Sequence, residues 1–315
     1  MDISIQNDDI FDAFGPELGA KMIRDAGFTA VDWSLYRSLK GKTLKKAAED
    51  EKLYDICIFE KSLEEVIEYY SDHIKAFRDN GLRITQAHAP FPAYLPGRDD
   101  VLDYCIKIYS RIIELCDKVG CKNLVIHGIS PAPLEEAVPY EYYKALNYKL
   151  YRGLIPTLRN TNVTICLENL FRTRTYHGHT DYFEGTCSDP YEAVEYIDTL
   201  NAEAGRDDAF GFCLDVGHLH LLRKRFAYYI PVLGKRLKCL HLHDNDTTND
   251  EHILPYAGTI IWNEFLDSMR DIGYDGDLSF ETLNQTSTST IPPELVPTFL
   301  RTIYDIGKYF QARIQ

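Results

Sequence analysis

The fold this sequence predicts is one (β/α)8 barrel spanning residues 1–315, and three observations predict it. Eight short apolar runs are spaced along the chain, glycines that stop helices stand before several of them, and six of the eight end in His, Asp or Glu. Eight is the number of parallel strands that closes such a barrel, and its active site forms at the C-terminal ends of the strands.

The runs, in order, are Ile3–Gln6, Ala30–Trp33, Arg83–Ala87, Asn123–Ile126, Val163–Leu167, Gly211–Leu214, Cys239–Leu242 and Asp277–Phe280. A helix, a stop and a strand recur at Asp25-Ala26-Gly27-Phe28, Asp79-Asn80-Gly81-Leu82, Lys118-Val119-Gly120-Cys121 and Asp271-Ile272-Gly273-Tyr274. Glycine just past a helix end takes the left-handed conformation that side chains resist. Strands alternating with helices imply parallel βα units. Between them, Val101, Cys105, Ile108, Ile112, Leu115, Cys116 and Val119 mark one helical face. Asp189-Pro190-Tyr191-Glu192 offers a cap, a proline at the first helical position and a carboxylate placed to reach back. A last helix is expected over about Pro293 to Tyr309. Arg37–Ser62 and Phe171–Cys187 read as long βα loops, which in this fold roof the active site. No low-complexity linker divides the chain.

Composition narrows function. Net charge is −14, from 48 acidic and 34 basic residues, which opposes a nucleic-acid partner because phosphate contacts need Lys and Arg. The only basic clusters are Lys40–Lys46 with Arg37, and Arg223–Arg225. No signal-peptide pattern opens the chain and no apolar run is long enough to span a membrane. The eight cysteines contain no CxxC pair and several lie inside apolar runs, so buried free thiols and a reducing, cytoplasmic setting are expected.

The strand ends carry the chemistry. They read Gln86-Ala87-His88, Val125-Ile126-His127, Cys166-Leu167-Glu168-Asn169, Cys213-Leu214-Asp215-Val216-Gly217-His218, Leu240-His241-Leu242-His243-Asp244 and Ser279-Phe280-Glu281. His241 and His243 point the same way on a strand. Each residue has a plain structural explanation when taken singly. His88 or His127 could sit at a barrel rim, Glu168 and Asp215 could cap helices, and Asp244, Asp246 and Asp250 could form a solvated loop. His177, His179 and His220 lack strand-end context. Converging at one mouth, the set fits a divalent metal site or acid/base machinery.

These residues give the chain a resemblance to the xylose isomerase-like TIM-barrel superfamily of sugar isomerases and epimerases, which also contains the endonuclease IV branch. The resemblance runs from Ala26-Gly27-Phe28-Thr29-Ala30-Val31-Asp32 to Phe280-Glu281-Thr282. It implies that Glu168, Asp215, His241 and Glu281 hold one divalent ion (Mn2+, Co2+, Mg2+ or Zn2+). His241 is placed ahead of His243 by the family spacing, three residues before Asp244. His218 matches a histidine that contacts substrate in epimerases and metal in the nuclease. His88, His127, Asp250 and His252 match additional nuclease ligands, which would raise the content to two or three Zn2+; His243 could reach substrate or another metal position. Two nuclease signatures depart: Tyr256-Ala257-Gly258 stands where Gly-Glu-Gly is expected, and His243 replaces an Asn.

The leading reading is therefore a metal-dependent isomerase or epimerase of a sugar or sugar derivative. Glu168 and Glu281 would be the acid/base pair working through a metal-stabilised enediolate. Arg172 or Arg174 would meet an anionic group, and Trp33, Phe91 or Tyr94 would stack on the sugar. The rival reading is multi-zinc cleavage of abasic DNA. A metal-dependent lyase acting on oxidised C-glycosides ranks behind both. The expected partner is a small carbohydrate, and homo-oligomer formation is left open.

Overall fold

A computed structural model describes residues 1–130 and 139–315. Its strands are β1 (Ile3–Gln6), β2 (Ala30–Ser34), β3 (Arg83–His88), β4 (Asn123–Val125), β5 (Thr164–Glu168), β6 (Phe171–Tyr176), β7 (His179–Glu184), β8 (Phe210–Asp215), β9 (Leu237–His241) and β10 (Leu278–Phe280). Eight of them form one parallel sheet in the order β10-β1-β2-β3-β4-β5-β8-β9. The sheet closes where the Leu242 N–H donates to Ser279 O at 2.8 Å and the Glu281 N–H to Leu242 O at 3.1 Å. The expected (β/α)8 barrel is the observed one.

Strand ends differ from the apolar runs by a residue or two: β4 and β9 stop one residue short of Ile126 and Leu242, and four others run on. The hydrogen-bond ladder continues past the last apolar residue into Ser34, His88, Glu168 and Asp215. The four anticipated helix-stop glycines, Gly27, Gly81, Gly120 and Gly273, all have positive φ. The helix Asp99–Val119 buries Val101, Cys105, Ile108, Ile112, Leu115 and Cys116, as its periodicity requires. At the helix Pro190–Ala204, Asp189 accepts from the Tyr191 N–H at 3.0 Å. Glu192 does not reach back to that cap; it accepts from the Cys187 N–H at 2.8 Å instead. The last helix begins with a short turn at Pro293–Leu295 and then runs over Val296–Ile314, longer than its periodicity suggested.

Neither long loop is a plain roof. Phe171–Cys187 contains an antiparallel hairpin, β6 paired with β7 from Phe171/Glu184 to Tyr176/His179. His177 and Gly178 both have positive φ, as a two-residue turn joining twisted strands demands. Residues 37–62 lie against the barrel's side. There Glu60 accepts the N–H groups of Asp55, Ile56 and Cys57 and the Tyr104 hydroxyl, at 2.8–3.1 Å.

All eight cysteines are free and buried. Cys166, Cys213 and Cys239 join Val125 in a small cluster separate from the main core, which lies between sheet and helices. Residues two apart on a strand share a face, so this cluster fills the barrel directly beneath His127, Glu168, Asp215 and His241. No helix among the described residues is long and apolar enough to cross a membrane.

Candidate functional site

Parallel strands of matched register deliver the polar ends to one level. Asp215 at the end of β8 lies opposite His241 at the end of β9, and a register shift after Phe212 makes that pairing. His88 ends β3, Glu168 ends β5 and Glu281 directly follows β10. His127 follows β4 by two residues, and His218 sits in the short helix Val216–Leu221 whose first turn is capped by Asp215.

These side chains converge. His241 Nδ1 lies 3.5 Å from Glu168 Oε1, 3.8 Å from Asp215 Oδ2 and 3.8 Å from Glu281 Oε2. His241 is 1% exposed, and neither ring nitrogen has a partner in hydrogen-bonding geometry. Such a desolvated polar group is costly unless something binds it. Glu168 Oε2 meets His127 Nε2 at 3.0 Å and His88 Nε2 at 3.6 Å. On the other flank His218 Nε2 is 3.5 Å from Asp250 Oδ2, and His252 Nε2 is 3.2 Å from the same oxygen. His243 is fully buried, stacked on His252 at 3.9 Å, with Nε2 3.0 Å from both Asp215 oxygens.

The outer hydrogen bonds orient the rings. His88 Nδ1 faces Ala89 O at 2.8 Å, His218 Nδ1 faces Asn169 O at 2.9 Å, and His252 Nδ1 faces Glu281 O at 2.9 Å. A carbonyl accepts, so in each ring Nδ1 donates outward and Nε2 faces the site, where it can offer a lone pair to an ion once its own proton is displaced. For His241 the outer partner is the buried Asp32 on β2, whose Oδ2 lies 3.5 Å from Nε2, leaving Nδ1 toward the three carboxylates. Histidines with one nitrogen fixed from behind and the other aimed into a carboxylate cluster are the arrangement metal sites use.

Charge follows geometry. Burial alone would raise the Glu168 carboxyl, but the His127 and His241 imidazoles hold it well below the usual range. Burial would lower His241, yet Glu281 and Glu168 push it well above the ordinary imidazole value. His218 is raised in the same way, against burial, by Asp215 and Asp250. His252 is pushed up to about 9, its burial outweighed by the hydrogen bond and charge of Asp250. His127 goes the other way, lowered by burial. The carboxylates thus draw positive charge into the site, and a divalent ion among the same oxygens and nitrogens would satisfy that demand. By their distances from His241, Glu168, Asp215 and Glu281 could join it in holding one ion, while His88, His127 and Glu168, or His218, Asp250 and His252, are grouped closely enough to hold another.

Above the cluster opens a cavity of about 590 Å3. Glu168, Glu281, His88, His127, His218, Asp250 and His252 line it, whereas Asp215, His241 and His243 lie beneath its floor. Phe91 and Tyr94 line it as expected, but Trp33 does not. Trp33 is fully buried on the outer face of β2, against Tyr70 and Phe77. Arg172 and Arg174 also miss the cavity. Arg172 lines a separate cleft with Lys144 and Glu192, and Arg174 lies 3.7 Å from Asp181. Several members of the two basic clusters are paired outside the cavity: Arg37 with Asp8, Asp9 and Asp12, Lys46 with Asp50, Lys224 with Glu184, and Arg225 with Glu264. His177 lies in the hairpin turn, His179 begins β7, and His220 faces Thr259 Oγ1 at 2.9 Å, all outside the cavity.

Sequence reasoning overlooked four supporting residues. Asp32 faces His241, and Gln86 Nε2 donates to Asp32 Oδ2 at 2.6 Å. Gln6 Nε2 donates to Glu281 Oε1. Asn169 donates to Asp215 O at 2.8 Å while accepting the Asp215 N–H at 2.9 Å. Each is a polar residue inside or beside an apolar run, and that interruption was the available signal. Asp244 proves to be structural, since its carboxylate accepts from the Trp262 indole and from the N–H groups of Tyr256 and Ile260.

Comparison with known proteins agrees with the barrel fold. Residues 20–301 match the family model for the xylose isomerase-like TIM barrel. Inosose isomerase of Bacillus subtilis is 23% identical over 209 residues, covering 64% of this chain and 69% of its own. The solved structure of an L-ribulose 3-epimerase superposes with a TM-score of 0.66 at 18% identity, covering 99% of this chain and 95% of its own. The IOLI protein, solved with a bound zinc atom, superposes with a TM-score of 0.65 at 18% identity, covering 100% and 98%.

Proposed function

Because the chain belongs to the xylose isomerase-like TIM-barrel family, we propose that it is a divalent-metal-dependent isomerase or epimerase of a sugar or sugar derivative. The observation that carries this reading is His241: a buried imidazole with both nitrogens unpartnered, facing Glu168, Asp215 and Glu281 at 3.5–3.8 Å. A bound divalent ion would supply Lewis-acid stabilisation of negative charge developing on neighbouring substrate oxygens. Kinship supports the substrate class, since relatives of this fold include an inosose isomerase and an L-ribulose 3-epimerase.

The chain's own residues supply the proton transfers. Glu168 and Glu281 reach the cavity from β5 and from the end of β10, with β8 and β9 between them on the shorter way round. They therefore address a bound sugar from different sides. One carboxylate removes the proton beside the carbonyl, and the other returns a proton to the opposite face or to the adjacent carbon. Gln6 holds one oxygen of Glu281 and leaves the other free for this work. His88, His218 and His252 present ring nitrogens at the cavity wall, where they hydrogen-bond hydroxyls. Glu281→Gln keeps the size and the Gln6 contact but removes the base. Turnover, followed as deuterium uptake from D2O into a ketose, should fall about 100-fold or more. An unchanged rate refutes the assignment.

A second reading has one specific observation in its favour: the two flanking donor groups, which suit a multi-zinc phosphodiesterase. Against it, no Lys or Arg lines the cavity among the described residues. Two or three zincs per chain together with cleavage of abasic DNA would move the conclusion there. One ion per chain with sugar turnover holds it where it is.

A further inference from the structure

Net charge is −14, yet the Arg223 guanidinium has nothing to neutralise it. Among the described residues every other arginine side chain makes an ion pair or a hydrogen bond, and that of Arg223 makes neither. Its backbone is unusual as well. Arg223 follows the helix Val216–Leu221 at φ 56°. There its N–H donates to His220 O at 2.8 Å, and the Lys224 N–H donates to Leu219 O at 3.1 Å. That helix stop favours glycine, and a larger residue in it is strained. An arginine occupies it without gaining a partner inside the protein.

Arg223 lines an open cleft of about 650 Å3 outside the barrel mouth, between the β6–β7 hairpin and the loop after β9. Arg174, His179, Thr180, Thr247 and Thr248 line it too. Thr247, a β-branched residue, is also in the left-handed conformation, at φ 74°. β7 pairs only with β6, so alternate backbone N–H groups along its other edge have no strand to bond. Asp181 is the one acid lining the cleft among the described residues, and two cations share it, Arg174 at 3.7 Å and His179 at 3.2 Å. All three side chains are exposed by 44% or more, and ion pairs so exposed contribute little. An incoming anion therefore displaces Asp181 at small cost.

We propose that this cleft is a second binding site, separate from the barrel mouth, for a small phosphate monoester. Two guanidinium forks, an imidazole and three hydroxyls exceed what a two-oxygen carboxylate can accept and suit the three oxygens of a phosphate. Leu221, Leu222 and Phe183 form an apolar wall for the organic part. The cleft also adjoins the mouth. The Tyr182 hydroxyl donates to Thr248 O at 3.2 Å, in the loop that leads to Asp250 and His252, and Phe171 at the root of the hairpin packs on His218 at 4.8 Å. A phosphate held between hairpin and loop restrains both elements beside the carboxylate and histidine cluster. The inference needs neither a bound metal nor the isomerase reading.

The test is titration of the full chain, as purified and again after chelation, with inorganic phosphate and with glucose 6-phosphate against glucose. Salt at about 0.15 M screens loose attraction. Phosphate should bind saturably in both preparations, and glucose 6-phosphate more tightly than glucose. Arg223→Gly should weaken phosphate binding about tenfold or more, the scale of a lost charge-assisted bond. That variant should melt no lower than the wild type, because glycine suits the helix stop. Asp181→Asn should tighten binding about two- to fivefold by releasing Arg174 from an exposed ion pair, a gain that misfolding cannot imitate. Hydrogen exchange should slow over residues 171–184 and 246–252 when phosphate is added. Affinity unchanged in both Arg223→Gly and Arg174→Ala, protection confined to the barrel strands, or no saturable binding overturns the inference. So does a DNA duplex that requires Arg223 and outcompetes glucose 6-phosphate, which would give the cleft to a nucleic acid.

Discussion

Asp32→Asn tests how the buried histidine is held. Asp32 is fully buried, accepts from Gln86 Nε2 at 2.6 Å, lies 3.4 Å from Ser279 Oγ and faces His241 Nε2 at 3.5 Å. Asparagine fits the same space. Its amide oxygen can replace Oδ2, and its NH2 then falls where Oδ1 has no partner. The contact to His241 survives but loses its charge. Outer partners of ligating histidines generally control metal affinity by about 10–100-fold, so the variant should bind its ion about tenfold more weakly. The assay is a competition titration against a chromophoric chelator, with thermal unfolding of the metal-free protein as the control for folding. A dissociation constant within about twofold of the wild type, in a variant that unfolds normally, would show that Asp32 does not set the ring or that His241 is not a ligand.

Other expectations are independent of that one. A Cβ on Gly217 would lie 2.0 Å from His243 Cε1, so Gly217→Ala must displace that ring and weaken its bonds to Asp215. Stability in urea should drop by about 1.5–3 kcal/mol, although alanine alone would favour the helix by about 1 kcal/mol; a stabilised variant contradicts the packing. Glu60 is held below the ordinary carboxylate value: its burial opposes this, but the Tyr104 hydroxyl and three backbone N–H groups prevail. A depressed folded value means its contribution is complete above the unfolded pKa of about 4.3 and fades as pH falls through the folded one. Glu60→Gln should therefore flatten that part of the acid limb of a urea midpoint-versus-pH curve, losing on the order of 1 kcal/mol near neutrality; an acid limb identical to wild type would rule it out. Chelation should abolish turnover and lower the melting temperature, and re-addition of the ion at about 1,000 times its dissociation constant should restore about 4 kcal/mol. Melting that ignores both treatments would deny the site its ion.

The barrel was legible because its strands are largely buried on both faces and stand out as apolar runs against amphipathic helices. The convergence of His88, His127, Glu168, Asp215, His218, His241 and Glu281 was legible for a related reason: barrel closure turns a list of strand ends into a neighbourhood. Asp250 and His252 lie in a loop and were pointed to only by the family resemblance. Asp32 was not, because one acid in Ala30–Ser34 gains meaning only when β2 and β9 face each other across the barrel interior. The hairpin at Phe171–Glu184 was signalled by the alternation of Arg and Thr over Arg172–Thr175 and by the turn pair His177-Gly178, yet length alone suggested a loop. Trp33 shows the opposite error. Its neighbours on the strand face inward, so a large ring at that position belongs to the helix layer, not the mouth.

The thiol layer under the site makes the barrel its own stopwatch. Burial keeps Cys166, Cys213 and Cys239 well above their ordinary pKa, so they remain inert thiols as long as the strands stay paired. A thiol reagent reaches them only when the strands part, and the pace of modification then counts opening events at the very strands that carry Glu168, Asp215 and His241. An ion bridging those three strands would slow the count, so occupancy of the site can be timed with no substrate in hand.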